Sequence, residues 1–91
     1  MKVCRRCLVS GTVQGVFFRA STCQKASEFN INGWVKNLPD DRVEVIACGD
    51  EKNVDQLINW LWSGPANARV SDVAVLQANA EEYADFKIRY D

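Results

Sequence analysis

A turn near the middle of the chain constrains the fold more than any other feature of the sequence. Pro39-Asp40-Asp41 separates Gly33-Trp34-Val35-Lys36-Asn37-Leu38 from Arg42-Val43-Glu44-Val45-Ile46-Ala47-Cys48. Both flanks have strand character, and the residues between them are hairpin-turn residues. The two runs are therefore antiparallel neighbours. On each side of this hairpin the apolar spacing changes to a helical period. Before it, from about Arg19, Ala20, Cys23, Ala26 and Phe29 recur at helix-compatible intervals and stop near Asn30, a residue that tolerates the left-handed conformation of a helix end. After it, Val54, Leu57, Ile58 and Leu61 follow the i, i+3, i+4, i+7 rule. Asn53 and Gln56 suit the N-terminal cap of that second helix, and Ser63-Gly64-Pro65 its stop. Trp60 and Trp62 flank its apolar stripe, which predicts packing at the helix edge.

Strand-like alternation also runs from Val3 to Ser10, through Val70 to Leu76, and at Phe86, Ile88 and Tyr90 after a polar loop from Gln77 to Asp85. The order is β-α-β-β-α-β-β. With right-handed crossovers, a hairpin between strands two and three places strand three between one and two, and strand four beside one. The expected class is α+β: a ferredoxin-like α/β sandwich, an antiparallel sheet with both helices on one face, plus a C-terminal strand whose place the pattern leaves open. A chain of 91 residues is long enough for one such core, so residues 1–91 are expected to form a single domain with one site.

Eleven basic and twelve acidic residues leave a formal charge of -1. That balance gives no support to a nucleic-acid partner held by phosphate contacts, so any anion must be bound locally. The start, Met1 to Cys7, lacks the apolar centre of a signal peptide, and no apolar run reaches bilayer length. A soluble, cytoplasmic monomer without membrane contact is the expectation.

Cys4-Arg5-Arg6-Cys7 is formally a CxxC. In a ferredoxin-like metal chaperone such a pair would sit in the loop after strand one, where two sulfurs converge. Here it lies within a strand, whose residues three apart face opposite ways, so no metal site is expected. Strand parity assigns different partners. If the mainly apolar faces meet the helices, Cys7 lies on the helix side with Cys23, and Cys4 and Cys48 lie on the open face. Pairing Val9 with Val43 in antiparallel register brings Cys4 opposite Cys48, so a disulfide is possible after a modest adjustment.

Chemistry is carried by Ser10-Gly11-Thr12-Val13-Gln14-Gly15-Val16-Phe17-Phe18-Arg19, a glycine-punctuated loop that leaves strand one and opens helix one. Successive amides at a helix N-terminus, backed by the helix dipole, suit a phosphate. Arg19 adds a planar, permanently charged fork that meets two phosphate oxygens at once. Alone, a G-x-x-x-G before an arginine more often marks a structural turn with a surface arginine than a phosphate site.

The loop from Gly11 to Arg19 resembles the acylphosphatase signature G-x-V-Q-G-V-x-F-R, and Gly33-Trp34-Val35-Lys36-Asn37 is similar to that family's second element, G-W/Y-V-x-N. Further likenesses at Ala26, Ile31, Val43-Glu44-Val45, Gly49, Ser63-Gly64 and Ala68-Arg69-Val70 extend the resemblance over nearly the whole chain. It implies a ferredoxin-like fold, no cofactor, and hydrolysis of small acyl phosphates to a carboxylate and inorganic phosphate. It also implies that Arg19 and the amides of Gly15, Val16, Phe17, Phe18 and Arg19 hold the phosphate, while Asn37 positions the attacking water for in-line displacement. The topology agrees: Asn37 adjoins the hairpin at the loop's end of the sheet, about two strand spacings (~10 Å) from strand one.

Two departures stand out. Phe17 occupies a position that is often small in the family, which would set a bulky side chain beside the phosphate and narrow the site. The usual Asp-Gly before strand three is Asp41-Arg42 here. The alternative functions are a phosphate-binding regulatory domain without turnover, or a ferredoxin-like metal chaperone using Cys4 and Cys7. An RNA-binding sheet would need stacking aromatics, which Arg42 to Gly49 lacks.

Overall fold

The computed structural model describes residues 1–91. Strand β1 (Lys2–Thr12) leads into helix α1 (Phe18–Glu28). The hairpin strands β2 (Asn32–Asn37) and β3 (Val43–Asp50) follow, then helix α2 (Glu51–Leu61) and strands β4 (Arg69–Gln77) and β5 (Phe86–Ile88). The sheet order is β4-β1-β3-β2-β5. Strand three therefore lies between one and two, and strand four beside one, as the crossover argument requires.

The register matches the parity argument: Val9 pairs with Val43 and Cys4 with Cys48. Cys4 and Cys48 form a disulfide, their Cα atoms 4.1 Å apart. The Cys4 carbonyl accepts from the Ala78 amide on the β4 side. The backbone polar groups of Cys4 thus point away from β3, which makes Cys4–Cys48 a non-hydrogen-bonded pair. This is the closer of the two antiparallel pair types, and it supplies the adjustment a disulfide needs.

The expectation of an antiparallel sheet holds for the first four strands only. β5 pairs parallel with β2, Gly33 opposite Phe86 and Val35 opposite Ile88, so the sheet is mixed. The cause lies in residues 78–85. Instead of turning back beside β4, this segment crosses the open face, where Ala78 and Tyr83 pack on Cys4, Ile46 and Cys48. The Asn32 side-chain amide holds it by donating to the Tyr83 carbonyl. The crossing lies at the Cys4 end of the sheet, because β4 stops opposite Arg5. β5 must then run back towards the Asn37 end. Ile88 lies level with Val35, and continuing that register brings Tyr90 level with Asn37.

Cys7 and Val9, Val35, and Val43, Val45 and Ala47 form the helix-side layer of the core, and Cys23 packs against it. From α2 come Val54, Leu57 and Leu61, all fully buried. Each such side chain contributes about 1.5–3 kcal/mol relative to exposure. Helix α1 departs from its expected stripe. The buried row is Phe18, Thr22 and Ala26, while Ala20 is exposed and Cys23 and Phe29 are half-buried. Thr22 enters the core because its hydroxyl donates to the Phe18 carbonyl at 2.7 Å, which leaves its methyl to pack. Asn30 adopts the expected left-handed conformation, φ 56°. Asn53 and Gln56 do not cap α2. β3 passes directly into that helix through Asp50, without a loop, so both residues lie inside it. Trp60 packs against Phe18, ring centroids 5.7 Å apart, whereas Trp62 follows the helix and is half-exposed. No helix is long and apolar enough to cross a membrane.

Candidate active site

The loop between β1 and α1 is anchored at both ends by apolar side chains and left open between them. Val13 and Phe18 are each about 1% exposed. Between them the chain makes two left-handed turns, at Gly15 (φ 75°) and Phe17 (φ 63°). Gly15 meets the first with no steric penalty, and a Cβ there would find nothing within 4 Å. The space over the loop is therefore open.

Phe17 occupies the N-cap position of α1, where Ser, Thr or Asp is usual, and makes no capping bond; no acidic residue lies in the first turn. The backbone amides of Gly15, Val16, Phe17, Phe18 and Arg19 consequently donate to no backbone or side-chain acceptor in the protein. The loop thus presents a run of free N–H donors at the positive end of a helix.

Arg19 lies at the rim, partly exposed, in no ion pair, with its guanidinium 5.4 Å from the centre of the Tyr90 ring. A cavity of about 260 Å³ opens here, lined by Val13, Gly15, Phe17, Phe18, Arg19, Ala20 and Ile88. Arg19 is its only charged wall. Of the residues expected to contact phosphate, Gly15, Phe17, Phe18 and Arg19 line this cavity; Val16 and Asn37 do not.

Asn37 ends β2 and pairs with Val43, which pairs in turn with Val9. It therefore stands at the loop's end of the sheet. Its Oδ1 is buried and has no hydrogen-bond partner. Such an orphan acceptor is costly and rare in folded proteins, and marks a place where a donor is expected to arrive. A turn asparagine bonding its own backbone, the ordinary alternative, would leave no such orphan.

Gln14 couples the two halves. Its Nε2 donates to the carbonyls of Leu38 and Arg42, each at 2.9 Å, tying the loop to both legs of the β2–β3 hairpin. The sequence reading gave this side chain no role. The signal was a lone amide side chain between Val13 and Gly15 in the motif.

One expectation about the loop changes. The Phe17 side chain lines the cavity from its rim and does not fill the loop. The left-handed backbone turns it outward, and the residue is 79% exposed. In the hairpin, the departure from Asp-Gly leaves Asp41 in the left-handed conformation (φ 74°). Asp40 stabilises the turn by accepting from the Arg42 backbone amide and from its guanidinium Nε, at 3.2 and 2.8 Å.

The sequence model of one family, Acylphosphatase, matches residues 5–88. The chain belongs to the acylphosphatase family. An acylphosphatase from Nitrosococcus oceani is 48% identical over 89 residues, covering 98% of this chain and 100% of the relative. The solved structure of an acylphosphatase from Coxiella burnetii superposes with a TM-score of 0.93 at 46% identity, covering 97% of this chain and 93% of that one. The crystal structure of acylphosphatase from Bacillus subtilis gives 0.92 at 34% identity, with 99% and 100% covered.

Proposed function

We propose that the protein hydrolyses acyl phosphates to a carboxylate and inorganic phosphate. The observation that carries this reading is the run of unpartnered amides from Gly15 to Arg19 beside an arginine that has no carboxylate partner. The phosphoryl group sits on those amides, its charge met by Arg19, by the uncapped N-terminus of α1 and by the open approach over Gly15.

The buried Oδ1 of Asn37 accepts a hydrogen bond from water and holds its oxygen in line with the bond to be broken. The water oxygen bonds to phosphorus while the bond from phosphorus to the acyl oxygen breaks, and the carboxylate leaves with that electron pair. A proton of the water passes to a phosphoryl oxygen, giving dihydrogen phosphate. The carboxylate is a good leaving group, so no strong base is required, and the sequence contains no histidine. Positioning and charge neutralisation supply the rate.

A comparison of two variants tests these roles. Arg19→Ala loses turnover and phosphate affinity together, since the guanidinium serves ground and transition states alike. Asn37→Ala loses about a hundredfold in kcat yet still binds inorganic phosphate in titration calorimetry. If Asn37→Ala binds phosphate as poorly as Arg19→Ala, the division of roles is wrong. Phosphate binding by the wild type without turnover would establish a regulatory domain instead.

A further inference from the structure

An acyl phosphate has two halves, and the amides and Arg19 account for one. The other, the acyl group, must extend outward from the loop. What stands there is aromatic and apolar. Phe17 lines the cavity and is 79% exposed; Tyr90 lies over the Arg19 guanidinium and is 81% exposed; Ile88, two residues before Tyr90, forms another wall.

Folding does not account for these two rings. Neither belongs to either hydrophobic cluster of the protein. Phe17 also holds a left-handed backbone (φ 63°) that glycine or asparagine adopts at lower cost. An exposed phenylalanine on strained backbone at the rim of a site has its use in what binds there. Tyr90 reaches the rim only because the segment over the open face sends β5 back parallel to β2.

We propose that Phe17 and Tyr90 are specificity-determining residues that form the acyl-binding wall of the site and favour acyl phosphates with apolar, above all aromatic, acyl groups. This rests on the hydrolase reading above. The phosphoryl group anchors on the loop, and the acyl portion lies against the rings, where an aryl group gains ring–ring contact that a methyl group cannot make. Arg19 is the only charged residue lining the cavity, and the phosphate occupies it. The walls therefore offer no second cation for an acyl group bearing its own negative charge.

The test compares kcat/KM for benzoyl phosphate with that for acetyl phosphate, in the wild type and in Phe17→Gly and Tyr90→Ala. Taking the ratio cancels the intrinsic reactivity of the two anhydrides. The benzoyl preference is expected to fall about tenfold in each variant, the order of discrimination an apolar pocket achieves. Inhibition by inorganic phosphate is expected to change far less. Tyr90→Phe, which keeps the ring, retains the preference. Phe17→Gly relieves the left-handed strain, so its thermal midpoint does not fall, which separates lost contact from lost fold. An unchanged ratio in both variants overturns the acyl-wall assignment and leaves the hydrolase reading intact. Equal losses on both substrates with weakened phosphate inhibition overturn it too, because the rings would then serve Arg19 alone. A wild type that hydrolyses neither substrate overturns the hydrolase reading itself.

Discussion

Gln14→Met removes the link between the phosphate loop and the hairpin while keeping the length and most of the volume of the side chain. Two neutral hydrogen bonds are lost, each worth about 1 kcal/mol net. Neither carbonyl is stranded by the change. Leu38 O still accepts from the Asp41 amide at 3.2 Å, and Arg42 O from the Leu38 amide at 2.8 Å. The stability loss is therefore about 1–2 kcal/mol, with no added penalty for a buried orphan, and in a domain of this size it lowers the thermal midpoint by roughly 4–16 °C. Catalysis should suffer more than that figure suggests. The amides and Arg19 lie on one segment and Asn37 on the other, so under the proposed roles the loss of Gln14 leaves phosphate and water held by parts free to drift apart. A displacement of about 1 Å is enough for a hundredfold loss in rate. The expected result in a continuous benzoyl phosphate assay is a kcat reduced about 10- to 100-fold. The inhibition constant for inorganic phosphate should stay within about twofold, because the phosphate contacts remain on one segment. A variant that melts earlier as calculated but keeps full kcat at 25 °C would refute the positioning role and leave Gln14 as a purely structural tie.

Four further outcomes are expected. Turnover should persist undiminished in excess chelator, since in the proposed mechanism the amides and Arg19 supply the positive potential; loss of activity reversed by magnesium or zinc would contradict this. Peptide mapping of oxidised protein under non-reducing conditions should find Cys4 joined to Cys48, with Cys7 and Cys23 free. Closing a loop with a sequence separation of 44 stabilises by about 4 kcal/mol on chain-entropy grounds, so reduction lowers the melting temperature but, being remote from Arg19, leaves kcat alone. Burial pushes the Cys7 thiol up to about 12, against a smaller lowering by Arg5. Its thiolate fraction at pH 8 is then on the order of 10⁻⁴, and iodoacetamide should label the less buried Cys23 first; early labelling of Cys7 in folded protein would show its environment to be wrong.

The elements that could be read from the sequence were those whose cause is local. Alternation in Val43 to Cys48 and the turn at Pro39-Asp40-Asp41 fixed the hairpin. Parity then fixed the Cys4–Cys48 register, because a slip of one residue would have turned Val43, Val45 and Ala47 out of the core. What could not be read depended on distant parts of the chain. The parallel pairing of β5 arises from Ala78 and Tyr83 packing on Cys4, Ile46 and Cys48, contacts that no local pattern encodes. The buried row of α1 was missed because a threonine ordinarily signals surface, and Thr22 escapes that rule only through its bond to the Phe18 carbonyl. At the site, Arg19 and the amide run were legible from residue type and motif. The orphan acceptor of Asn37 and the clamp by Gln14 became visible only when the hairpin met the loop.

The sheet order also sets a schedule for synthesis. β1 is made first and lies between β3 and β4, and its last ladder partner, Gln77, pairs with Arg5. At a ribosomal rate of about 5–20 residues per second, roughly 3–13 seconds pass between completion of β1 at Thr12 and of β4 at Gln77. During that interval an apolar strand carrying Cys7, Leu8 and Val9 has at least one unpaired edge. The nascent chain is thus most vulnerable to mispairing near its N-terminus, and most dependent there on a chaperone or on the tunnel wall. Once β4 docks, the same strand is paired on both edges, and its amides should be among the slowest to exchange with solvent.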